Sequence, residues 1–142
     1  MMETLYIKWD TGYMNINMDV FFPCNMDKFK KLQKVIELDW EHREELTEKL
    51  KLFFQKQILI CKAAQKESAN KYVDAMQQRN DAERKIKSRK QANGVPLSKS
   101  EIEQEKLKLQ FYKKEVANSL SAFKKNKRAV EQYTRLLGMI EQ

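Results

Sequence analysis

At 142 residues the chain has the size of a single domain, and 1–142 is read as one. It is 34% charged and 42% hydrophobic, with three glycines and two prolines, a composition that suits long helices better than a many-turned β fold. Two cysteines and one histidine exclude a disulfide framework and a histidine-based metal cluster, and no cofactor is expected. The longest apolar run, Ile58–Cys61, is far below the ~20 residues that cross a bilayer. Met1–Tyr6 lacks the basic flank and apolar run of a signal segment, so a cytoplasmic setting is expected.

The formal charge is +8, unevenly spread. Residues 1–60 carry 9 basic and 10 acidic side chains, whereas 61–142 carry 19 and 10. An acidic partner is therefore expected of the C-terminal part: nucleic acid, a nucleoprotein or an acidic protein face.

Leu5–Trp9 and Met14–Val20 each alternate apolar with polar residues around Asp10-Thr11-Gly12-Tyr13, which predicts a β-hairpin over 4–22. With Thr11-Gly12 as the loop, Trp9 faces Met14, Ile7 faces Ile16 and Leu5 faces Met18, all on one side. A hairpin alone is marginal in water, so this one must rest on helices. Asn25 or Asp27 caps a short helix over 26–38, with Phe29, Leu32, Val35 and Ile36 on its buried face. A break is expected at Leu38-Asp39, followed by a long helix over 40–91. That helix is apolar nearly all round at residues 58–61, where the hairpin and short helix are placed.

Gly94 and Pro96 close the long helix in a loop over 92–98. Ser98 and Glu101 then form a capping box that opens a last helix over 99–140. In it Ile102, Leu109, Val116, Phe123, Val130 and Leu137 recur every seventh position. Such a helix is roughly 60 Å long and needs an equally long partner. The short loop supplies one, the preceding helix, in an antiparallel hairpin. Position sums near 191 then set Ala82 by Leu109, Ala75 by Val116, Ser68 by Phe123, Cys61 by Val130 and Phe54 by Leu137, small against large. Lys106 and Lys113 fall beside Asp81 and Asp74 as flanking ion pairs.

The fold class is thus mainly α (α+β): an N-terminal β-hairpin and short helix on the base of a long antiparallel, coiled-coil-like helical hairpin.

Asp10-Thr11-Gly12 is the tripeptide of aspartic proteases, but those enzymes need two such carboxylates, and here the residues suit a turn. His42 has no second histidine or evident nucleophile to work with, and reads as a solvated helix residue. Cys61 sits on the seam as a small apolar residue, whereas Cys24 precedes a helix start, which favours a thiolate. No catalytic residue and no metal ligand is assigned.

Two basic clusters remain: Arg84, Lys85, Lys87, Arg89 and Lys90 with Lys108 beside the loop, and Lys124, Lys125, Lys127 and Arg128 along the last helix. Residues 79–114 hold 11 basic and 5 acidic groups. Such clusters neutralise phosphates, although long exposed helices also carry lysine for solubility. Phe111 and Tyr112 are the aromatics near the first cluster, too few for base stacking to set a sequence preference.

The general build, a short β element and long charged helices, resembles small accessory proteins of phages and conjugative elements, anti-CRISPR inhibitors among them. The likeness is one of size and style and transfers no residue. It implies a non-enzymatic inhibitor of a CRISPR-type nuclease. Many such inhibitors are acidic DNA mimics, and the +8 charge departs from that pattern. The expected function is therefore a binding protein whose basic helices engage a nucleoprotein or acidic protein surface, as a monomer or dimer and without a membrane. Direct, non-sequence-specific DNA or RNA binding and coiled-coil self-assembly are the alternatives.

Overall fold

The computed structural model describes residues 3–9 and 11–141. In chain order its elements are β1 (Thr4–Trp9), β2 (Gly12–Asn17), α1 (Met18–Phe21), α2 (Met26–Glu37), α3 (Arg43–Ser88) and α4 (Lys99–Glu141). The fold is mainly helical, with an N-terminal antiparallel β-hairpin and a packed pair of long helices. Its residues form two compact units. The first comprises Met1–Lys62 and Lys127–Gln142, the second Ala63–Asn126, and α3 and α4 contribute to both.

In the first unit β1 pairs with β2, placing Leu5 opposite Ile16, Ile7 opposite Met14 and Trp9 opposite Gly12. This register differs by two residues from the expected one. A slip of two leaves every side chain on its own face, so the apolar pattern is equally satisfied by both registers. Gly12 belongs to β2, not to the loop, and Asp10 of the expected turn lies outside the described residues. The strand also stops earlier, at Asn17 instead of 22, because the Asn17 side chain accepts the Asp19 N–H and starts α1. Met18, expected opposite Leu5, is buried at the head of that helical turn.

Asn25 caps α2, its side chain accepting the Lys28 N–H at 2.8 Å, and Phe29, Leu32 and Ile36 are buried as the spacing predicts. These residues join Leu5, Ile7, Ile16, Met18 and Phe22 against Leu46, Leu50, Phe53 and Phe54 of α3 and Tyr133 and Leu136 of α4. Phe54 is the hub. Its ring centroid lies 4.9 Å from that of Phe22, 5.6 Å from Phe29, 5.9 Å from Tyr133 and 6.1 Å from Phe53. Tyr133 is thus the α4 ring that meets Phe54, tilted by 46°, and the expected Leu137 packs half-buried against the same core. Burial pushes the Tyr133 hydroxyl up to about 12, since a phenolate there would lose its water. The hairpin and α2 centre on Leu46–Phe54 of α3, with Ile58 and Cys61 packed half-buried at the edge of that core and Leu59 and Ile60 turned away from it. Leu59 and Ile60 are consequently 70% and 51% exposed.

The expected break at Leu38-Asp39 is present, and it is built around one carboxylate. Asp39 is almost fully buried, and accepts the Lys8 N–H of β1 at 3.1 Å and the His42 N–H at 3.2 Å. His42 Nδ1 adds a third contact at 3.0 Å, just before α3 begins. One side chain therefore ties the hairpin edge to the start of a helix. These contacts, the Lys8 amide foremost, hold the Asp39 carboxyl below its ordinary range. A depressed folded pKa contributes stability that is complete above the unfolded value, near 3.9, and lost as pH falls through the folded one. Urea midpoints measured from neutral pH downward should fall in this acid window. Asp39→Asn should lower the midpoint at neutral pH and flatten its acid limb; an unchanged limb would mean that Asp39 does not govern it.

In the second unit the seam has two rows. Along α3, Ser68, Ala75 and Ala82 are buried and alternate with half-buried Gln65, Tyr72, Arg79 and Ile86. Along α4, the apolar row Ile102, Leu109, Val116 and Phe123 is half-buried. The more deeply buried positions are Glu105 and Ser119, members of a second row with Tyr112 and Asn126 that runs three residues later. A polar row on the inside makes this a lean interior. The expected flanking pairs are not formed. Asp81 binds Arg84 and Lys85 instead, Lys106 binds Glu103, and Lys113 makes no ion pair with Asp74. Partners within one helix turn are simply closer than those on the neighbouring helix.

Candidate functional site

The link between α3 and α4 is closed by its own hydrogen bonds. The capping box forms as expected: Ser98 N–H donates to Glu101 Oε1 and Glu101 N–H to Ser98 Oγ, both at 3.2 Å. The Ser98 amide in particular holds the Glu101 carboxyl below its usual range. The stop of α3 differs from expectation. It comes at Ser88, not at 91, and the left-handed residue that ends the helix is Arg89, with φ 57°. The Arg89 N–H still reaches Lys85 O, and the Arg89 carbonyl accepts from Leu97 N–H at 3.0 Å. Gly94, with φ 86°, serves the tight turn inside the link, donating to Gln91 O at 2.9 Å. Gln91 N–H in turn donates to Val95 O, and Lys90 pairs with Pro96 as an isolated bridge.

A non-glycine residue in the left-handed region costs on the order of 1–3 kcal/mol and persists where its surroundings impose it. Here the strained residue stands in the middle of the basic cluster.

The structure sorts that cluster into two kinds of cation. Arg84 and Lys85 are held by Asp81, and Lys85 and Lys108 both reach the buried Glu105, at 3.8 and 3.5 Å. The Lys85 and Arg84 contacts keep the Asp81 carboxyl below its usual range. Lys87, Arg89 and Lys90 are exposed and make no ion pair among the described residues. The last turn of α3 and the start of the link thus present three unneutralised cations in four consecutive residues. Apart from them, Leu107 and Phe111 form an exposed apolar pair one turn apart on α4, and the Phe111 ring meets Tyr112 edge-on at 5.1 Å.

The second cluster is not part of this arrangement. Lys124 and Lys125 belong to the second unit, Lys127 and Arg128 to the first, and all four are exposed. Lys124 lies about 24 Å beyond Lys108 along α4. Division by unit also sharpens the charge asymmetry. The second unit carries 15 basic and 8 acidic side chains, the first 13 and 12.

Two residues were missed in sequence: Glu105 and Arg79. Glu105 anchors the paired half of the cluster, and Arg79 holds a buried Nε without a hydrogen-bond partner. Both lie on the polar seam rows, which a search for apolar periodicity passes over. Cys24 and Cys61 are both unpaired, and burial raises both thiols, at Cys24 against the pull of Lys28. The helix start does not make Cys24 a thiolate. Among the described residues no group of three or more His, Cys, Asp or Glu side chains converges as a metal site, and no helix is long and apolar enough to cross a membrane.

Comparison with protein-family models, curated proteins and solved structures finds no match to this chain.

Proposed function

We propose that this chain is a non-enzymatic binding protein that engages a phosphate-bearing partner, a nucleoprotein or nucleic acid, through Lys87, Arg89 and Lys90 at the end of α3. The single observation that supports this reading is the sorting of the cluster: neighbouring cations are neutralised by Asp81 and Glu105, whereas these three are displayed unpaired beside a fully bonded link. Modulation of a CRISPR-type nuclease is the specific form that the resemblance in build implies.

The test is a salt titration of binding to a fluorescent duplex by anisotropy. Three phosphates neutralised give a log–log slope near −3, or about 40-fold weaker binding between ~50 and ~200 mM salt. A slope near zero, or no binding at the lowest salt to duplex or single strand, would remove the reading. Equal binding to a polyglutamate chain would shift it to an acidic protein partner.

A further inference from the structure

We infer that the outer edge of β2 is a self-association site, at which a second copy of this chain pairs its own β2 in antiparallel fashion to make a four-stranded sheet. This rests on the first unit alone and is independent of the phosphate-binding reading.

The ladder shows which backbone groups are left over. Glu3 O accepts the Met18 N–H, so odd positions of β1 and even positions of β2 bond to each other. Thr4, Tyr6 and Lys8 therefore direct their backbone groups away from β2, while Tyr13 and Asn15 direct theirs away from β1. The outer edge of β1 is capped: Thr4 O accepts from Lys49 Nζ, and Lys8 N–H donates to Asp39 Oδ2. The outer edge of β2 is left open at Tyr13 and Asn15. Tyr13, Met14 and Asn15 are exposed there, and the Tyr13 and Asn15 main chains have no partner among the described residues.

Proteins ordinarily blunt such an edge with lysine, proline or a bulge. β2 reads Gly-Tyr-Met-Asn-Ile-Asn, without a charge or a proline in a chain that is 34% charged, and its ladder runs without a bulge. This chemistry selects a second copy as occupant. An uncharged strand meets no like charge when it pairs with itself, and the first unit as a whole is close to neutral. A two-fold axis at Met14 sets Tyr13 opposite the second copy's Asn15 and Asn15 opposite the second copy's Tyr13. Both are hydrogen-bonded pairs, giving four main-chain bonds. The two Met14 side chains meet at the axis, where Cα atoms are ~4.5 Å apart.

The experiment follows molar mass by sedimentation equilibrium from ~1 µM to ~1 mM, the range of a small, weak interface. Wild-type mass should rise from one chain towards two, with slowed exchange of the Tyr13 and Asn15 amides. Asn15→Pro should abolish the rise while leaving the β1–β2 ladder intact, because the lost N–H points outward. Met14→Lys and Met14→Glu, should Asn15→Pro fail to fold, give a second reading: each alone is a monomer, and an equimolar mixture is a dimer. A wild-type monomer throughout, a dimer indifferent to these substitutions, folded Met14 variants that fail to pair in the mixture, or an edge that binds extended peptides but not its own copy would each overturn self-pairing.

Discussion

Phe54→Ala should lower the unfolding temperature by about 9–20 °C, the largest effect expected of any single substitution in the first unit. The residue is fully buried, and its ring meets four others, from Phe22 before α2, Phe29 on α2, Phe53 on α3 and Tyr133 on α4. Truncating a buried phenylalanine costs roughly 3–5 kcal/mol, the lost transfer free energy plus the cavity left behind. For a chain of this length each kcal/mol is worth about 3–4 °C. Leu59→Ala, only five residues further on, should change stability by no more than about 0.5 kcal/mol, because Leu59 is mostly in water. Differential scanning calorimetry on the two variants checks both. Similar losses at the two positions would place the core where the apolar girdle of the sequence lies, and not where the structure places it.

Reversing the three unpaired cations together, as Lys87→Glu, Arg89→Glu and Lys90→Glu, should weaken binding to a duplex at least ~100-fold at low salt and leave the fold intact. Each charge-assisted hydrogen bond is worth roughly 1.5–3 kcal/mol, so three lost contacts exceed that threshold even if each is weak. Reversing Lys124, Lys125, Lys127 and Arg128 should matter much less if the link is the site, and equally if binding is diffuse. Arg89→Gly separates affinity from strain. Glycine adopts the left-handed conformation without a Cβ penalty, so stability should rise by about 1 kcal/mol, while the salt slope loses close to one unit. Binding and stability would then move in opposite directions at one residue. A parallel fall in both would mean that Arg89 is structural. Anisotropy titrations and urea melts on the same samples supply both readouts.

How far these properties were legible in the sequence differs by residue. The hairpin faces could be read because β structure alternates with period two, yet Leu5, Ile7 and Ile16 fit either of two registers two residues apart, and only the turn chooses. Ser98 and Glu101 announced the start of α4 because a capping box is a local rule that needs no tertiary context. The end of α3 was misplaced for the converse reason. Gly94 is an obvious stop signal, but the chain turns at Arg89, whose left-handed backbone is imposed by the bonds to Lys85 and Leu97 and leaves no mark on residue type. The basic cluster was visible as composition. Which of its members are neutralised was not, since that depends on the buried Glu105, a polar residue on a second row that the apolar seven-residue repeat does not mark.

The lean, polar seam of the second unit has a consequence for time as well as for energy. α3 is one uninterrupted run of hydrogen bonds from Arg43 to Ser88, yet its early turns carry Leu46, Leu50, Phe53 and Phe54, and its later turns carry Ser68, Ala75 and Ala82 beside Arg79, whose buried Nε is unpartnered. Amides around Phe54 can exchange with solvent only when the whole core opens, whereas those around Ala82 can exchange through local opening. A single helix therefore keeps two lifetimes. A partner seated on Lys87–Lys90 would lengthen the shorter one most directly.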